Sequence, residues 1–313
     1  MIRVIAARCL EVLPSLLIVT MMVFLLQKLM PGDVAIALAG EDRNTEVIAH
    51  IREKYHLGEP IFTQYWYWLR GVLSGDFGNS VKMGSPVASM VLEKLGVTFQ
   101  LSTLAMCIAV ALGLPLGILS AVRRGSVWDK LGDLFALSAL SIPSFWLGIL
   151  LILIVSIHLG WLPASGYVSF IDDPIESLRT LIMPAFVLGA AIAAMLMRHV
   201  RSAMLETLSA DYIRTATAKG VPEQRIVLLH ALRNSAIPVV AFAGIVFGEL
   251  LAGAVLTEQV FNIPGMGKLV VDAVFNRDYT VVQGVVLCSA LLYFIINLIA
   301  DILIALIDPR VVL

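Results

Sequence analysis

The chain has 313 residues, of which 59% are hydrophobic and 14% charged, with a mean hydropathy of +0.91. A soluble domain of this length carries far more charge, so the composition places the chain in a bilayer. The net charge of -1 offers no overall attraction for nucleic acid, and the basic residues gather at the ends of apolar runs instead of forming a stripe.

Arg3 and Arg8 precede the first apolar run, a pattern shared with signal peptides, but no small-residue cleavage site follows. The run passes through Lys28, which can snorkel, to the breaker pair Pro31 and Gly32, as an uncleaved first span does. A spanning helix needs about twenty mostly apolar residues, and about six segments qualify. They are 9–29, 97–122, 134–159, 181–197, 236–256 and 279–307. Cys9, Cys107 and Cys288 fall singly within apolar stretches and lack metal or redox spacing, so they read as small membrane-buried side chains.

Short loops rich in Lys and Arg stay cytoplasmic. Arg3 and Arg8 mark the amino-terminal side, Arg123, Arg124 and Lys130 the second turn, and Arg198, Arg201, Arg214, Lys219, Arg225 and Arg233 the fourth. These alternate along the chain, and both termini are expected in the cytoplasm. Three prolines interrupt the apolar segments: Pro115 between Gly113 and Gly117, Pro143 in SIPS (141–144), and Pro184, which is expected to open the fourth span. Proline breaks suit a moving pathway. They equally suit the close packing that membrane helices use, so both readings stand.

Residues 1–94 are expected to form the first span plus an external helical segment, with the main membrane bundle in 95–313. In the external segment, Thr45 caps a helix in which Val47, Ile48, Ile51 and Tyr55 recur at helical spacing before Gly58 and Pro60. A second helix over 61–73 presents Tyr65, Trp66, Trp68 and Leu69. These aromatics can anchor at the headgroup level or pack on the bundle or a docked partner.

The cytoplasmic loop 198–235 reads as a helix, turn, helix hairpin. Asp211 is expected to cap a helix running to Lys219, Gly220 to take the left-handed stop, and Pro222 to start the next helix. Tyr212, Ala216 and Lys219 share one face, which suits insertion into a groove on another protein. A basic loop that only sets topology or touches anionic lipid is the competing reading.

Among polar residues in spans, Glu249 is the sharpest candidate for lining a pathway, because an ionised group in the bilayer faces a cavity or a partner. A buried structural hydrogen bond or a protonated acid is the alternative there. Asn297 is a weaker lining candidate, and Asp301 lies near the inner boundary. His158 has no second ligand at metal spacing. No phosphate-binding G-x-x-x-x-G-K-[ST] loop is present, so the chain is not expected to be an ATPase by itself. Neither the matched halves of a secondary transporter nor the residue constellation of a membrane enzyme is evident.

At the 198–235 loop the sequence resembles the inner-membrane permeases of binding-protein-dependent ABC importers. Their EAA, later Gly and IxLP signature aligns with Arg214, Thr215 and Ala216, then Gly220, then Ala236, Ile237 and Pro238. Arg214 replaces the consensus Glu, and the stretch from Gly220 to Pro238 is longer than in the general signature. The dipeptide/oligopeptide/nickel branch is commonly written DYIRTARAKG followed by HALRNALIP. Here the sequence reads DYIRTATAKG (211–220) and HALRNSAIP (230–238). The resemblance continues through LMPGD (29–33), GDFGNS (75–80), SIPSFWLG (141–148), WLPASGY (161–167), FNIPGMG (261–267) and DPR (308–310).

It implies an all-α, type I ABC importer permease of the bacterial inner membrane, with Asp211, Tyr212, Arg214, Ala216, Lys219 and Gly220 on a coupling helix that contacts an ATPase. The implied partners are a second, related permease, two cytoplasmic ATPase subunits that bind ATP and Mg, and a periplasmic or lipid-anchored substrate-binding protein. No cofactor is implied for this chain. The branch is associated with peptides, glutathione, nickel and opines.

Overall fold

The computed structural model describes residues 2–29, 35, 44–54 and 56–307. The Pro31-Gly32 breaker, most of LMPGD, Tyr55 and the DPR motif lie outside these residues. Among the described residues the chain is helical, with twelve helices: α1 (Ile2–Leu29), α2 (Thr45–Lys54), α3 (Ile61–Leu73), α4 (Val87–Val122), α5 (Val127–Ser141), α6 (Ser144–His158), α7 (Pro174–Leu208), α8 (Asp211–Ala218), α9 (Glu223–Ala252), α10 (Val255–Val260), α11 (Met266–Phe275) and α12 (Tyr279–Ile307).

Helices α4, α7, α9 and α12 are each long and apolar enough to cross a membrane, and α5 with α6 make a fifth span if the bent pair counts as one. Within α1, Leu10–Leu25 forms a shorter apolar stretch. The segment 134–159 was expected as one interrupted span. The structure starts it earlier, at Val127, and bends it by 95° at the Ile142-Pro143 break. Pro184 does not open the fourth span; it lies inside α7, which begins at Pro174. There the Asp173 carboxylate accepts the Ile175 and Glu176 backbone N–H groups at 3.0 and 3.1 Å, a side-chain cap that sets the start of the helix. Asn44, not Thr45, caps α2: its side chain accepts the Glu46 N–H and its carbonyl the Ile48 N–H.

The bundle is built on α4 and α7. A Cβ on Gly189 would stand 2.7 Å from the Ala105 carbonyl oxygen, one on Gly113 2.7 Å from that of Ala193, and one on Gly117 2.7 Å from that of Met197. The paired numbers rise together, so the two helices run parallel, with glycine letting their backbones touch as small residues do in membrane interfaces. Helices α9 and α12 pack antiparallel: Gly244 faces Ala300, Gly248 faces Tyr293, and the Ser289 hydroxyl donates to the Ala252 carbonyl at 3.3 Å. Helix α1 lies against α12, where the Gln283 side chain donates to the Val23 carbonyl at 3.3 Å.

At the end where α12 begins, the GDFGNS segment is tied down. The Ser80 hydroxyl donates to the buried Asp278 carboxylate at 2.5 Å, and the Met83 N–H donates to Ser80 Oγ at 2.9 Å. Gly78 has φ +78°, and a Cβ there would stand 2.9 Å from Thr280 Cγ2.

Candidate coupling helix and translocation face

Helix α7 runs on to Leu208, so the first third of the 198–235 loop is helix, and α9 starts again at Glu223. Between them lies α8. Its N-cap is Ala210 with no side-chain cap; Asp211 is the first helical residue and points outward, 3.4 Å from Arg214 across one turn. The expected Asp211 cap is therefore corrected. The helix ends at Ala218, Lys219 closes it by donating its N–H to the Thr215 carbonyl, and Gly220 takes φ +78° as expected. Pro222 precedes α9 at the cap position, one residue before the place assigned to it.

Ile213 is the buried anchor of α8, while Asp211, Tyr212, Arg214 and Lys219 are exposed and Ala216 is half-buried. Tyr212 and Ala216 thus flank the anchoring side, and the Tyr212 hydroxyl accepts the Asn234 amide at 2.6 Å. That bond ties α8 directly to α9, whose turns over Ile226–Ala231 are π-helical and end ahead of Pro238. Beneath the hairpin, Arg201 of α7 grips Asp129 of α5 in a bidentate pair, Nε to Oδ1 at 2.7 Å and Nη2 to Oδ2 at 2.9 Å. The Gly125 N–H adds a third donor to Asp129 at 2.9 Å. Planar two-bond pairing fixes orientation as well as charge. The buried Asp129 and its partner were not singled out from the sequence, although Arg201 had been counted as a topology marker.

Glu249 is exposed on α9, in line at helical spacing with exposed Ile245 and Ala252. The following turn is broken at Gly253, with φ +131°. Asn297 is half-buried on α12 and donates to the Tyr293 carbonyl at 2.8 Å, and Tyr293 is the residue on which Gly248 packs. The structure therefore sets the two candidates on neighbouring turns of one helix pair, with only Glu249 open. The His158 Nδ1 bonds to the Leu153 carbonyl at 2.7 Å.

A second acid was missed. Glu258 on α10 is fully buried; its Oε1 accepts the Thr98 hydroxyl at 2.9 Å and its Oε2 the Lys268 backbone N–H at 2.8 Å. Thr98 in turn accepts the Met266 N–H at 2.8 Å. Burial pushes the Glu258 carboxyl above the usual carboxylate range, opposed by the donors from Lys268, Thr98 and Gly267. The FNIPGMG glycines follow from this: a Cβ on Gly265 would stand 2.3 Å from Glu258 Oε1, and one on Gly267 3.0 Å from Oε2.

Three motifs separated in sequence meet at fully buried Phe261. From WLPASGY, the Gly166 N–H donates to the Phe261 carbonyl at 3.1 Å. From SIPSFWLG, a Cβ on Gly148 would stand 3.1 Å from the Phe261 ring.

The family profile of binding-protein-dependent transport system inner membrane components matches residues 113–313, and its N-terminal companion matches residues 1–103. A putative peptide transport system permease protein of Brucella abortus is 41% identical over 311 residues, 99% of each chain. A glutathione transport system permease protein of Salmonella typhimurium is 42% identical over 311 residues, again 99% of each. A chain of the MetNI methionine ABC transporter, in an inward-facing form, superposes with a TM-score of 0.57 at 19% identity, covering 70% of this chain and 96% of that one. The fold is that of the type I ABC importer permeases, and the chain belongs to the binding-protein-dependent transport system inner membrane components.

Proposed function

We propose that this chain is the permease subunit of an ATP-driven importer that moves peptides across the bacterial inner membrane, forming half of the pathway with a second, related permease. The observation that carries the reading is full-length identity of 41% and 42% to permeases named for peptide and for glutathione. Glutathione is itself a short peptide, so both names point to one solute chemistry. Nickel and opines remain the alternatives within the same importer class.

In this reading α8 is the coupling helix. Its exposed Tyr212, Arg214 and Lys219, with Asp211, Ala216 and Gly220, seat in a cleft of a cytoplasmic ATPase, of which there are two. The Tyr212 to Asn234 bond gives motion of α8 a short route into α9, the helix that carries Glu249. Glu249 lines the pathway between the two permeases, where a carboxylate in the bilayer finds water or a partner. ATP and Mg bind to the ATPases, a periplasmic or lipid-anchored protein delivers the peptide, and both ends of this chain face the cytoplasm.

The test is ATP-dependent uptake of labelled di- and oligopeptides by proteoliposomes holding the complete complex, comparing the natural chain with Gly220→Pro and Ala216→Trp. Uptake that is lost in variants which still assemble supports the coupled importer. Unchanged uptake in both removes the coupling role of α8. Absence of peptide uptake with ATP turnover that answers to another solute removes the peptide assignment alone.

A further inference from the structure

Helix α3 carries more apolar surface than its contacts consume. Tyr65 and Trp68 turn toward α1, where their rings stand 5.5 and 5.6 Å from that of Phe24, and the Tyr65 hydroxyl bonds to Thr20 Oγ1 at 2.8 Å. Phe62, Trp66 and Leu73 recur at helical spacing on another side and are exposed by 77%, 61% and 79%. Arg70 lies on the flank of that stripe, also exposed. Helix α2, just before it, carries Glu46, His50, Arg52, Glu53 and Lys54 in ten residues and belongs in water.

Two rulers set the depth of α3. Thr20 and Phe24 fall inside the apolar stretch Leu10–Leu25 of α1. The Val23 carbonyl, between them, meets Gln283, about one turn into α12 from its start at Tyr279. The contacts of α3 thus lie just inside the bilayer on the side where α1 ends and α12 begins. With thirteen residues α3 is about 20 Å long, too short to cross the roughly 30 Å hydrocarbon core. The helix it packs on, α1, likewise presents Leu17, Ile18, Met21, Met22 and Leu25 outward at this depth, apolar side chains of the kind a membrane helix gives to lipid.

We infer that α3 lies in the membrane as an interfacial helix, with Phe62, Trp66 and Leu73 against the acyl chains of one leaflet, the outer one in the proposed orientation. The occupant of this face is lipid and not a docked protein, because the stripe lies at the depth of the apolar stretch of α1, whose own exposed side chains are apolar. Arg70 snorkels toward the phosphates, and α2 stays in water beyond them. The helix widens the footprint of α1 in that leaflet. The inference does not depend on which solute is carried.

The test uses nitroxide labels placed one at a time at Phe62, Trp66, Leu73 and, as an aqueous reference, Ala49 of α2. The background replaces Cys9, Cys107 and Cys288 by Ser, and the complete complex is held in phosphatidylethanolamine/phosphatidylglycerol nanodiscs. Collision with oxygen exceeding collision with a water-soluble nickel chelate at 62, 66 and 73, with the reverse at 49, is the expected result. Dominant nickel collision at 62, 66 and 73 would overturn the inference by placing α3 in water. Protection from both reagents at those sites would overturn it equally, by showing a protein surface over the stripe.

Discussion

The Glu258 carboxylate accepts the Thr98 hydroxyl at 2.9 Å across 160 residues of chain, joining α10 to the first half of α4. Because Thr98 also accepts the Met266 N–H, one hydroxyl links the buried acid to the start of α11. Replacing Thr98 by Val removes a donor and an acceptor together while keeping the shape. Thr98→Val and Glu258→Gln are each expected to cost about 1–3 kcal/mol, as buried polar groups left without partners do. Thermal unfolding of the detergent-solubilised complex measures both, and the double variant should cost less than the two summed, since the residues share one network.

Gly265 leaves the space that Glu258 fills. Gly265→Ala puts a methyl where the carboxylate stands and is expected to destabilise by about 1–3 kcal/mol through overpacking. Combined with Glu258→Ala, the added methyl enters vacated space, so the pair should be less destabilised than the sum of the singles. A strictly additive result in the same unfolding assay would show that the clash is relieved elsewhere.

The Arg201 guanidinium holds Asp129 with two bonds of matched geometry. Arg201→Lys keeps the charge but cannot reproduce the fork, and is expected to cost about 1–2 kcal/mol, with Arg201→Met costing more because it leaves a buried carboxylate without its cation. Melting temperatures of the three forms at one salt concentration rank them directly.

Gly220 ends α8 with φ +78° and has open space where a Cβ would sit. Gly220→Ala is therefore expected to cost only about 1 kcal/mol of backbone strain and to leave assembly intact. Peptide uptake should fall modestly in Gly220→Ala and be abolished in Gly220→Pro. Equal effects would indicate that conformation at this turn is irrelevant to coupling.

Tyr212→Phe removes the bond to Asn234 without altering the outward ring. It is expected to leave ATPase binding in place and to lower uptake per ATP hydrolysed, by about the factor of 5 that a hydrogen bond of roughly 1 kcal/mol represents. Parallel measurement of uptake and hydrolysis separates this from a simple loss of assembly.

Four of the expected spans, a fifth as the bent pair of α5 and α6, the α3 boundaries and the Gly220 turn were legible in the chain itself, whereas the expected first span over 9–29 holds only the shorter apolar stretch Leu10–Leu25. They follow from hydrophobic runs, charge and turn chemistry, which act between residues close in sequence. Where the sequence reading missed locally, neighbouring caps won: Asp173 started α7 ahead of Pro184, and Asn44 displaced Thr45. The candidate residues of α8 were found by face and by resemblance, yet which of them is the anchor was decided by Ile213, whose burial depends on the helices beneath it. Only the tertiary structure decided that Glu258, unremarkable on a six-residue helix, is fully buried, while Glu249 stands open. It likewise decided that SIPSFWLG, WLPASGY and FNIPGMG meet at Phe261. A charge in an apolar run announces only that it needs a partner; which partner reaches it is set by helix packing across more than a hundred residues, and no local pattern encodes that distance.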